Sequence, residues 1–568
     1  MTSPPSLAHP TPFERGNGNQ TTTWAECIAF YERLAEQFPR VLRWWQIGVS
    51  DIGLPVHAGL VTADGVFDRG TLRAQGRPVF FNNNGIHPGE PEGIDACMAL
   101  VRDFCVDPAR RASLGDLVFL FIPVYNVDGC VNRGSTSRVN QLGPESFGFR
   151  GNARHLDLNR DFIKCDSLAA QVFNRFFTDW DPDVMVDTHT ANGADYPYTM
   201  TLIPTQPDKL GGGLGDFLRG HMLPAIYGDM KRRGWPTCPY VNLLHETPDD
   251  GIEDFLDVPR FSTGYAALHH TIGFMPETHM LKPFAERVAA MRTLVEVVLE
   301  FSVAQAGRIQ QLRRAARAEA ARRAQWPVRW RNDHDRPARL RFKGYAAVHL
   351  PSRLGNYQTL AYDRNQPWEK DIVHYDRCVV EQAVTAPKAY LVPQAWREVI
   401  ERLEWNGVAL QRLDADRVFD AARVYRVVEV GTRATPYEGR MFHDRVVLST
   451  HAETIQGRAG DVLVSLDQPR ARYAVETLEP AAHDSFFRWG FFNSVLEKKQ
   501  ASVSAYVFED TALQMLADEP VLRQQFDEWK AANPEQLSNQ EAVHWFLFTH
   551  GLRHAEPEWR RYPVVGLM

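Results

Sequence analysis

The sequence predicts an α/β domain with a largely parallel or mixed sheet beneath helices, followed by an α+β region. Short apolar runs alternate with helical patterns through the first 300 residues or so. Several runs are continuously apolar, as in strands that are buried on both faces. The runs that predict strands here are Val56–Val61, Val79–Phe81, Leu117–Ile122, Val184–Asp187 and Ile272–Met275.

The helices are predicted from apolar residues at helical spacing. Residues 24–38 form the first, with threonines in front as candidate caps. Further helical stretches lie near 92–105, 166–178, 213–233 and 283–304. The basic stretch Ile309–Ala324 predicts a solvated connecting helix.

Beyond residue 325 the apolar runs are separated by turn-rich segments, which predicts a second region of α+β type. Helices are expected at Gln394–Leu403 and after Asp510. The strands predicted in this region are Tyr345–Leu350, Ala389–Val392, Val424–Val430, Val446–Leu448 and Val462–Leu466. The predicted organisation is an N-terminal extension and helix at 1–44, the α/β domain at 45–305, a helical connector at 306–324 and an α+β region of unknown role at 325–568.

Composition excludes several classes of protein. The chain has 568 residues, of which 44% are hydrophobic, enough for a large core. Its 63 basic and 70 acidic residues give a net charge of −7, so we expect no nucleic-acid partner. No apolar run approaches the roughly 20 residues of a membrane span, so we expect no membrane association. The seven cysteines form no CxxC pair and the N-terminus shows no secretory signal, which favours the cytoplasm, or secretion if a leader was removed.

A candidate metal site comes from two strand ends. The segment FFNNNGIHPGEPEG places His87 and Glu90 directly after a strand, and VMVDTH places His189 after another. A catalytic zinc ion commonly takes three protein ligands and leaves one position for water. Either histidine alone is a weak signal, but both at strand ends together with Glu90 predict one zinc ion per chain.

The same half of the chain supplies a candidate base and candidate anion-binding groups. Glu277 ends the apolar run in IGFMPETH, and metal-assisted hydrolysis needs a base beside the attacking water. Asn159 and Arg160 lie in the strand-like segment LDLNRDF. Arg133 and Arg138 lie upstream, and Arg133 is better explained as a surface residue. An arginine fork binds a carboxylate in bidentate fashion or stabilises an oxyanion.

With these motifs in order, the chain resembles the zinc metallocarboxypeptidase family over about residues 45–300. The matching segments are HPGE, PVYNVDG, LDLNRDF, DTH and PETH. The resemblance implies an eight-stranded mixed sheet with helices on both faces. It also implies that His87, Glu90 and His189 are the zinc ligands and that Glu277 is the general base and acid. Asn159 and Arg160 would bind the terminal carboxylate of the substrate. Arg138 would polarise the oxyanion.

The chain departs from the family's pattern at several points. At the usual distance before the base, where the family places a mobile tyrosine, this chain has Phe255. Tyr265 lies nearer to the base and Tyr240 further from it, so the capping tyrosine stays unassigned and Tyr265 is equally well explained by packing. Val127 replaces the proline of the Asn-Pro-Asp-Gly motif. The region after 325 has no counterpart in the pancreatic enzymes.

Three functions follow, in order of preference. The first is a zinc exopeptidase that removes C-terminal residues from peptides. The second is a zinc amidohydrolase of the same fold acting on cell-wall peptides or on acylated or conjugated amino acids. The third, a binding protein without turnover, is disfavoured because His87, Glu90, His189 and Glu277 are all present. The sequence contains no HExxH, GxSxG or Walker motif, and it leaves side-chain specificity and oligomeric state open.

Overall fold

The computed structural model describes residues 9–499, 504–551 and 556–568. A mixed sheet of eight strands lying side by side forms its first half, as the family resemblance implied. The four central strands run parallel, and the outer ones add three antiparallel pairs and, at one edge, a parallel pair. From one edge to the other the strands are Leu42–Val49, Pro55–Val61, Val118–Ile122, Val79–Asn83, Val184–Asp187, Ile272–His279, Met200–Pro204 and Thr237–Pro239.

All five apolar runs predicted as strands in the first half are strands, and the four central ones are buried along their whole length. The strand Leu42–Val49 was not predicted, and it crosses the boundary placed between residues 44 and 45. A short strand, His189–Ala191, continues the path of Val184–Asp187 and pairs with Ile272–His279.

Helices cover both faces of this sheet. The predicted cap of the first helix is confirmed, because Thr23 and Glu26 form a reciprocal capping box. The helix expected near 213–233 contains a π-helical turn at Leu218–Met222. The helices of the first half with at least six residues are Trp24–Gln37, Arg69–Ala74, Glu92–Val106, Leu168–Trp180, Gly212–Phe217, Leu223–Arg232, Ser262–Leu268, Phe284–Ala304 and Ala306–Ala320. Short helices lie at Pro12–Arg15, Pro108–Ala112, Val127–Val131 and Pro207–Leu210, with a 3-10 turn at Leu158–Arg160.

The second region is of the predicted α+β type. Two long hairpins, 338–375 and 417–457, extend from it, and the helices of 505–550 surround a small core of their own. Its longer strands are Gln325–Asn332, Ala338–Pro351, Gln358–Tyr375, Cys378–Thr385, Arg417–Thr432 and His443–Gly457, with shorter ones at Ala389–Val392, Val462–Ser465 and Val565–Leu567. Its helices are Arg397–Trp405, Ala471–Leu478, Ala505–Asp518, Pro520–Ala532 and Gln540–His550.

The second region packs against the helices Leu168–Trp180 and Ser262–Leu268 of the first half. A single hydrophobic cluster contains residues of both halves, such as Phe177 and Tyr473. The rings of Tyr473 and His269 lie 5.6 Å apart, and the hydroxyl of Tyr265 donates to Oδ1 of Asn406 at 2.7 Å. The two halves therefore share one core. Within the described ranges, none of the helices has the length and apolar character needed to cross a bilayer.

Candidate metal centre

The three predicted ligands converge at the carboxyl ends of the parallel strands. One potential ligand atom from each of His87, Glu90 and His189 lies within 4.8 Å of the other two. A turn after the strand Val79–Asn83 closes with a bond of 2.8 Å from the Glu90 amide to the His87 carbonyl. All three side chains are buried. Parallel strands bring distant sequence segments together at this edge of a sheet, as ligand-binding sites of α/β folds require.

Each imidazole is oriented by a carboxylate on its far nitrogen. Nε2 of His87 bonds to Oδ1 of Asp157 at 2.8 Å, and Nε2 of His189 bonds to Oδ2 of Asp187 at 2.9 Å. The two Nδ1 atoms lie 3.4 and 3.1 Å from the carboxylate oxygens of Glu90. A carboxylate partner holds the proton on Nε2, which leaves the Nδ1 lone pairs facing a common point.

These donors fit zinc. Two imidazole nitrogens and one carboxylate oxygen are a known catalytic zinc set, and both imidazoles have the outer carboxylate that such ligands usually carry. Asp187 is itself held by Nδ2 of Asn83 at 2.9 Å. Burial disfavours a charged His189, but Asp187 and Glu90 outweigh it and raise the pKa of this histidine. Since metal binding needs the neutral imidazole, loading would release a proton.

Glu277 lies beside the ligand cluster. It pairs in register with His189 on one side and with Thr201 on the other. Burial raises the pKa of Glu277 to about 8. The positive charge of His189 lowers this pKa, and the negative charge of Glu90 raises it. A carboxyl group with a raised pKa next to a metal site is suited to accept and return a proton.

Arg138, which the family resemblance assigns to oxyanion polarisation, already has hydrogen-bond acceptors for its guanidinium in this structure. Its Nη1 donates to Oε1 of Glu90 at 2.6 Å, its Nη2 to the Thr190 carbonyl at 2.8 Å and its Nε to Oε1 of Gln141 at 2.5 Å. Arg133, expected to be a surface residue, is partly buried and donates to backbone carbonyls, including that of Ser146 at 2.7 Å.

A second arginine, Arg150, was missed from the sequence. Its Nη1 lies 3.2 Å from Oε1 of Glu90 and 3.3 Å from Nδ1 of His87, and its Nε donates to Oδ2 of Asp157 at 3.0 Å. Its side chain is 44% exposed, against 14% for Arg138, and both line the cavity over the metal centre. Arg150 lies ten positions before Arg160, in GFRGNARHLDLNR, and no spacing rule distinguishes it from the other arginines of this segment.

Asn159 and Arg160 line the same cavity. They sit in the 3-10 turn Leu158–Arg160, where the Asp157 side chain accepts the Asn159 amide at 2.8 Å. Oδ1 of Asn159 accepts from the Ser262 amide at 3.0 Å. The guanidinium of Arg160 lies 4.5 Å from the centre of the Phe261 ring. Stacking and backbone contacts hold the two side chains in place at the cavity wall.

The cavity has a volume of about 840 Å³ and an aromatic wall. Tyr240, Phe255 and Phe261 form this wall, with ring centres 6.2 Å apart for the first pair and 4.8 Å for the second. Tyr265 is fully buried and its hydroxyl bonds to Asn406, so it is a packing residue. Among the tyrosines considered from the sequence, Tyr240 is the one that reaches the site.

The family model and the named relatives that this chain matches are those of carboxypeptidases. Residues 27–191 match the family model described as zinc carboxypeptidase. A protein named carboxypeptidase 2 from Trichophyton equinum is 23% identical over 440 residues, which is 72% of each chain. The protein of the same name from Trichophyton tonsurans is 34% identical over 110 residues, 18% of this chain and 19% of that one. A metallo-carboxypeptidase structure from Burkholderia cenocepacia has 16% identity and a TM-score of 0.38 over 51% of this chain and 71% of that one.

The metal centre and the family match define a metallopeptidase. Residues 27–191 match the zinc carboxypeptidase family, and this match supports a hydrolase of the metallocarboxypeptidase type.

Proposed function

We propose that the protein is a zinc exopeptidase that releases single residues from the C-termini of peptides. The observation that carries this proposal is that Arg160 and Asn159 line the same cavity as the ligand cluster and Glu277. A guanidinium and an amide at one end of a cavity bind a free α-carboxylate. A substrate held by its terminus presents its last peptide bond to the metal centre.

His87, Glu90 and His189 would hold the zinc ion. When bound, zinc supplies a Lewis acid that polarises the scissile carbonyl and activates a water molecule. Glu277 removes a proton from the attacking water as the water oxygen bonds to the carbonyl carbon. The carboxyl group then gives this proton to the amide nitrogen as the C–N bond breaks, so that the products are a shortened peptide and a free amino acid.

The arginines have separate tasks in this mechanism. Arg150 is half exposed at the cavity and donates to the negative charge that develops on the carbonyl oxygen. Arg138 donates to Glu90, to the Thr190 carbonyl and to Gln141, and it holds the carboxylate ligand in place. Arg160 holds the substrate carboxylate. Each such interaction contributes a few kcal/mol to lowering the barrier.

The test is digestion of a mixed peptide pool by the zinc-loaded protein, half of the peptides with free C-termini and half amidated. Mass spectrometry should show loss of single residues from free C-termini alone. Glu277→Gln should bind zinc and cleave nothing, because the amide has no basic oxygen for the proton. If wild-type protein carries zinc but leaves both halves intact, the exopeptidase proposal is wrong. Cell-wall peptides and acylated amino acids would then be the substrates to try.

A further inference from the structure

The 417–457 hairpin contains a tight turn at Glu438–Gly439. Tyr437 and Arg440 exchange backbone hydrogen bonds of 2.8 and 3.1 Å across it. Both central residues have positive φ, 49° for Glu438 and 78° for Gly439. Two residues with positive φ between bonded strand ends define a type I′ turn.

Glutamate is an unfavourable choice at the first position of this turn. Type I′ turns prefer asparagine, aspartate or glycine there, because other L-residues crowd Cβ against the backbone when φ is positive. A residue held in such a conformation is kept there by its surroundings, and strained residues cluster at functional sites. The side chain of Glu438 therefore has a role that asparagine would not fill.

The role of the Glu438 side chain is seen in the hydrogen bond that it accepts. Oε2 of Glu438 accepts the backbone N–H of Asp157 at 2.8 Å, although the two residues are 281 positions apart. The carboxylate of Asp157 in turn holds Nε2 of His87 at 2.8 Å and the guanidinium of Arg150 at 2.9 Å. Asp157 also caps the 3-10 turn Leu158–Arg160. One bond from the second region thus reaches the residue that orients a metal ligand.

The same turn holds the far end of this segment. Arg440 donates to both oxygens of Asp166, at 2.7 and 2.6 Å. Residues 157–166, which carry Asn159 and Arg160, are therefore bonded at both ends by two residues of one turn, Glu438 and Arg440. The second region acts on the metal centre through backbone and salt-bridge contacts, without lining the cavity at these positions.

We propose that Glu438 is a positioning residue for the metal centre, acting through Asp157 on His87 and Arg150. The inference rests on the zinc site of the proposed function, but it does not depend on which substrate is cleaved. It gives the second region a role that the family resemblance did not supply. Glu438 sets the position of the Asp157 backbone, and Asp157 sets the orientation of the imidazole.

Asparagine separates this role from the stability of the turn. Glu438→Asn suits positive φ, so the zinc-free variant should melt at or above the wild-type temperature. Its shorter side chain does not reach the Asp157 amide. Because loss of an outer partner of a metal ligand costs about 10- to 100-fold, the zinc Kd should rise about tenfold and kcat/KM should fall about tenfold.

Two further variants complete the design. Glu438→Gln keeps an oxygen acceptor of the same length, and its zinc Kd should stay within about twofold of the wild-type value. Glu429→Asn removes a carboxylate on the same hairpin that pairs with Arg445 at 3.0 Å, and it should leave zinc binding unchanged. Zinc Kd is measured on the apo full-length proteins by competition with a chelator, and melting temperature by calorimetry.

The proposal is overturned if Glu438→Asn binds zinc as tightly as wild type, whether or not it melts lower. It is also overturned if Glu438→Gln loses zinc affinity as much as Glu438→Asn. If wild-type protein cleaves no peptide, the proposed function fails, while the zinc isotherms still decide the role of Glu438.

Discussion

Two arginines contact the same metal-ligand carboxylate, and they differ in what else they bind. Arg138 is largely buried and has an acceptor for Nε and for both terminal nitrogens. Arg150 is 44% exposed and shares the cavity with the substrate site. A guanidinium that orients Glu90 and one that binds a developing oxyanion should respond differently to truncation, since one acts on metal affinity and the other on the transition state.

Removal of Arg150 should therefore reduce turnover most. Arg150→Ala should lower kcat by about 100-fold, because one donor to an oxyanion is lost. Arg138→Ala should instead raise the zinc Kd by about tenfold, because a ligand carboxylate loses its partner. Steady-state kinetics at saturating zinc, together with zinc titration, distinguish the two variants. The opposite pattern would assign oxyanion binding to Arg138, as the family resemblance implied.

The raised pKa of Glu277 predicts how stability depends on pH in the zinc-free protein. Its folded-state pKa of about 8 lies above the ordinary value of 4.5, which applies in the unfolded chain. Between these values the folded state binds more protons at this group, so its contribution to stability falls as pH rises.

Glu277→Gln cannot titrate and should escape this loss. In the presence of a chelator, the melting temperature of the variant relative to that of wild type should increase as the pH rises from about 5 to about 9. A difference in melting temperature that stays constant across this range would contradict the raised pKa.

The predictability of the site residues follows from their distance to a strand end. His87, His189 and Glu277 each lie in or just after a strand that is readable as an apolar run, so the motifs place them at one sheet edge. Arg138 and Arg150 lie between Val131 and Leu158, where the chain has no regular element. Spacing in such a segment does not determine which arginine faces the cavity, so this assignment needs the side-chain contacts of the folded structure.

At the scale of elements, the strand Ile272–His279 sets the distance between the base and the pocket floor. Met275 and Glu277 lie two residues apart and so point to the same side, about 7 Å from each other along the strand. On the neighbouring strand their partners in register are Ile203 and Thr201. Met275 and Ile203 both line the cavity, so the surface beside Glu277 is apolar.

An apolar floor predicts preference for uncharged terminal residues. In acylated dipeptides, those ending in Phe or Leu should have kcat/KM at least about tenfold above those ending in Arg or Asp, because an unpaired charge is costly to bury. Ile203→Asp should narrow or reverse the difference between Leu and Arg, whereas Ile203→Leu should preserve it. Wild-type preference for basic termini would show that the terminal side chain lies elsewhere.

Elements differ in how readily the sequence predicted them. The central strands are buried along their whole length, which makes them continuous apolar runs. The missed strand, Leu42–Val49, lies at the edge of the sheet and, among the described strands, pairs with Pro55–Val61 alone. Only its first residue, Leu42, is buried, the others are partly buried or exposed, and its sequence, LRWWQIGV, lacks an alternating apolar pattern. An edge strand has one neighbour, so fewer of its positions are constrained to be apolar.

At the scale of the whole molecule, the two halves are joined by packing and by polar contacts. Arg470 bonds to Nδ1 of His269 at 2.8 Å and to Asp181 at 3.2 Å. Arg402 donates to the carbonyl of Cys165 at 3.3 Å. None of these long-range contacts follows from local sequence patterns, since periodicity predicts elements and not their partners. The predicted boundary at 325 separates chain segments that share a core.

The shared core predicts that the first half does not fold alone. Truncation after residue 324 would expose the helical surface that contacts the second region, including the buried rings of Tyr265 and Phe177. The fragment should be insoluble or lack a cooperative melting transition, because large exposed apolar patches favour aggregation. The full chain should melt its two halves together.

Deletion of 499–556 is the matched control. These residues include the helices with their own small core, and the chain ends left behind are adjacent, with a bond of 2.7 Å from the Arg560 amide to the Val495 carbonyl. Joined by a short glycine-serine linker, this variant should stay soluble and keep its zinc affinity. Solubility, calorimetry and zinc titration of both shortened proteins provide the measurement. A soluble 1–324 fragment with wild-type zinc affinity would show that the catalytic half is independent, and would also contradict a role for Glu438 in positioning His87.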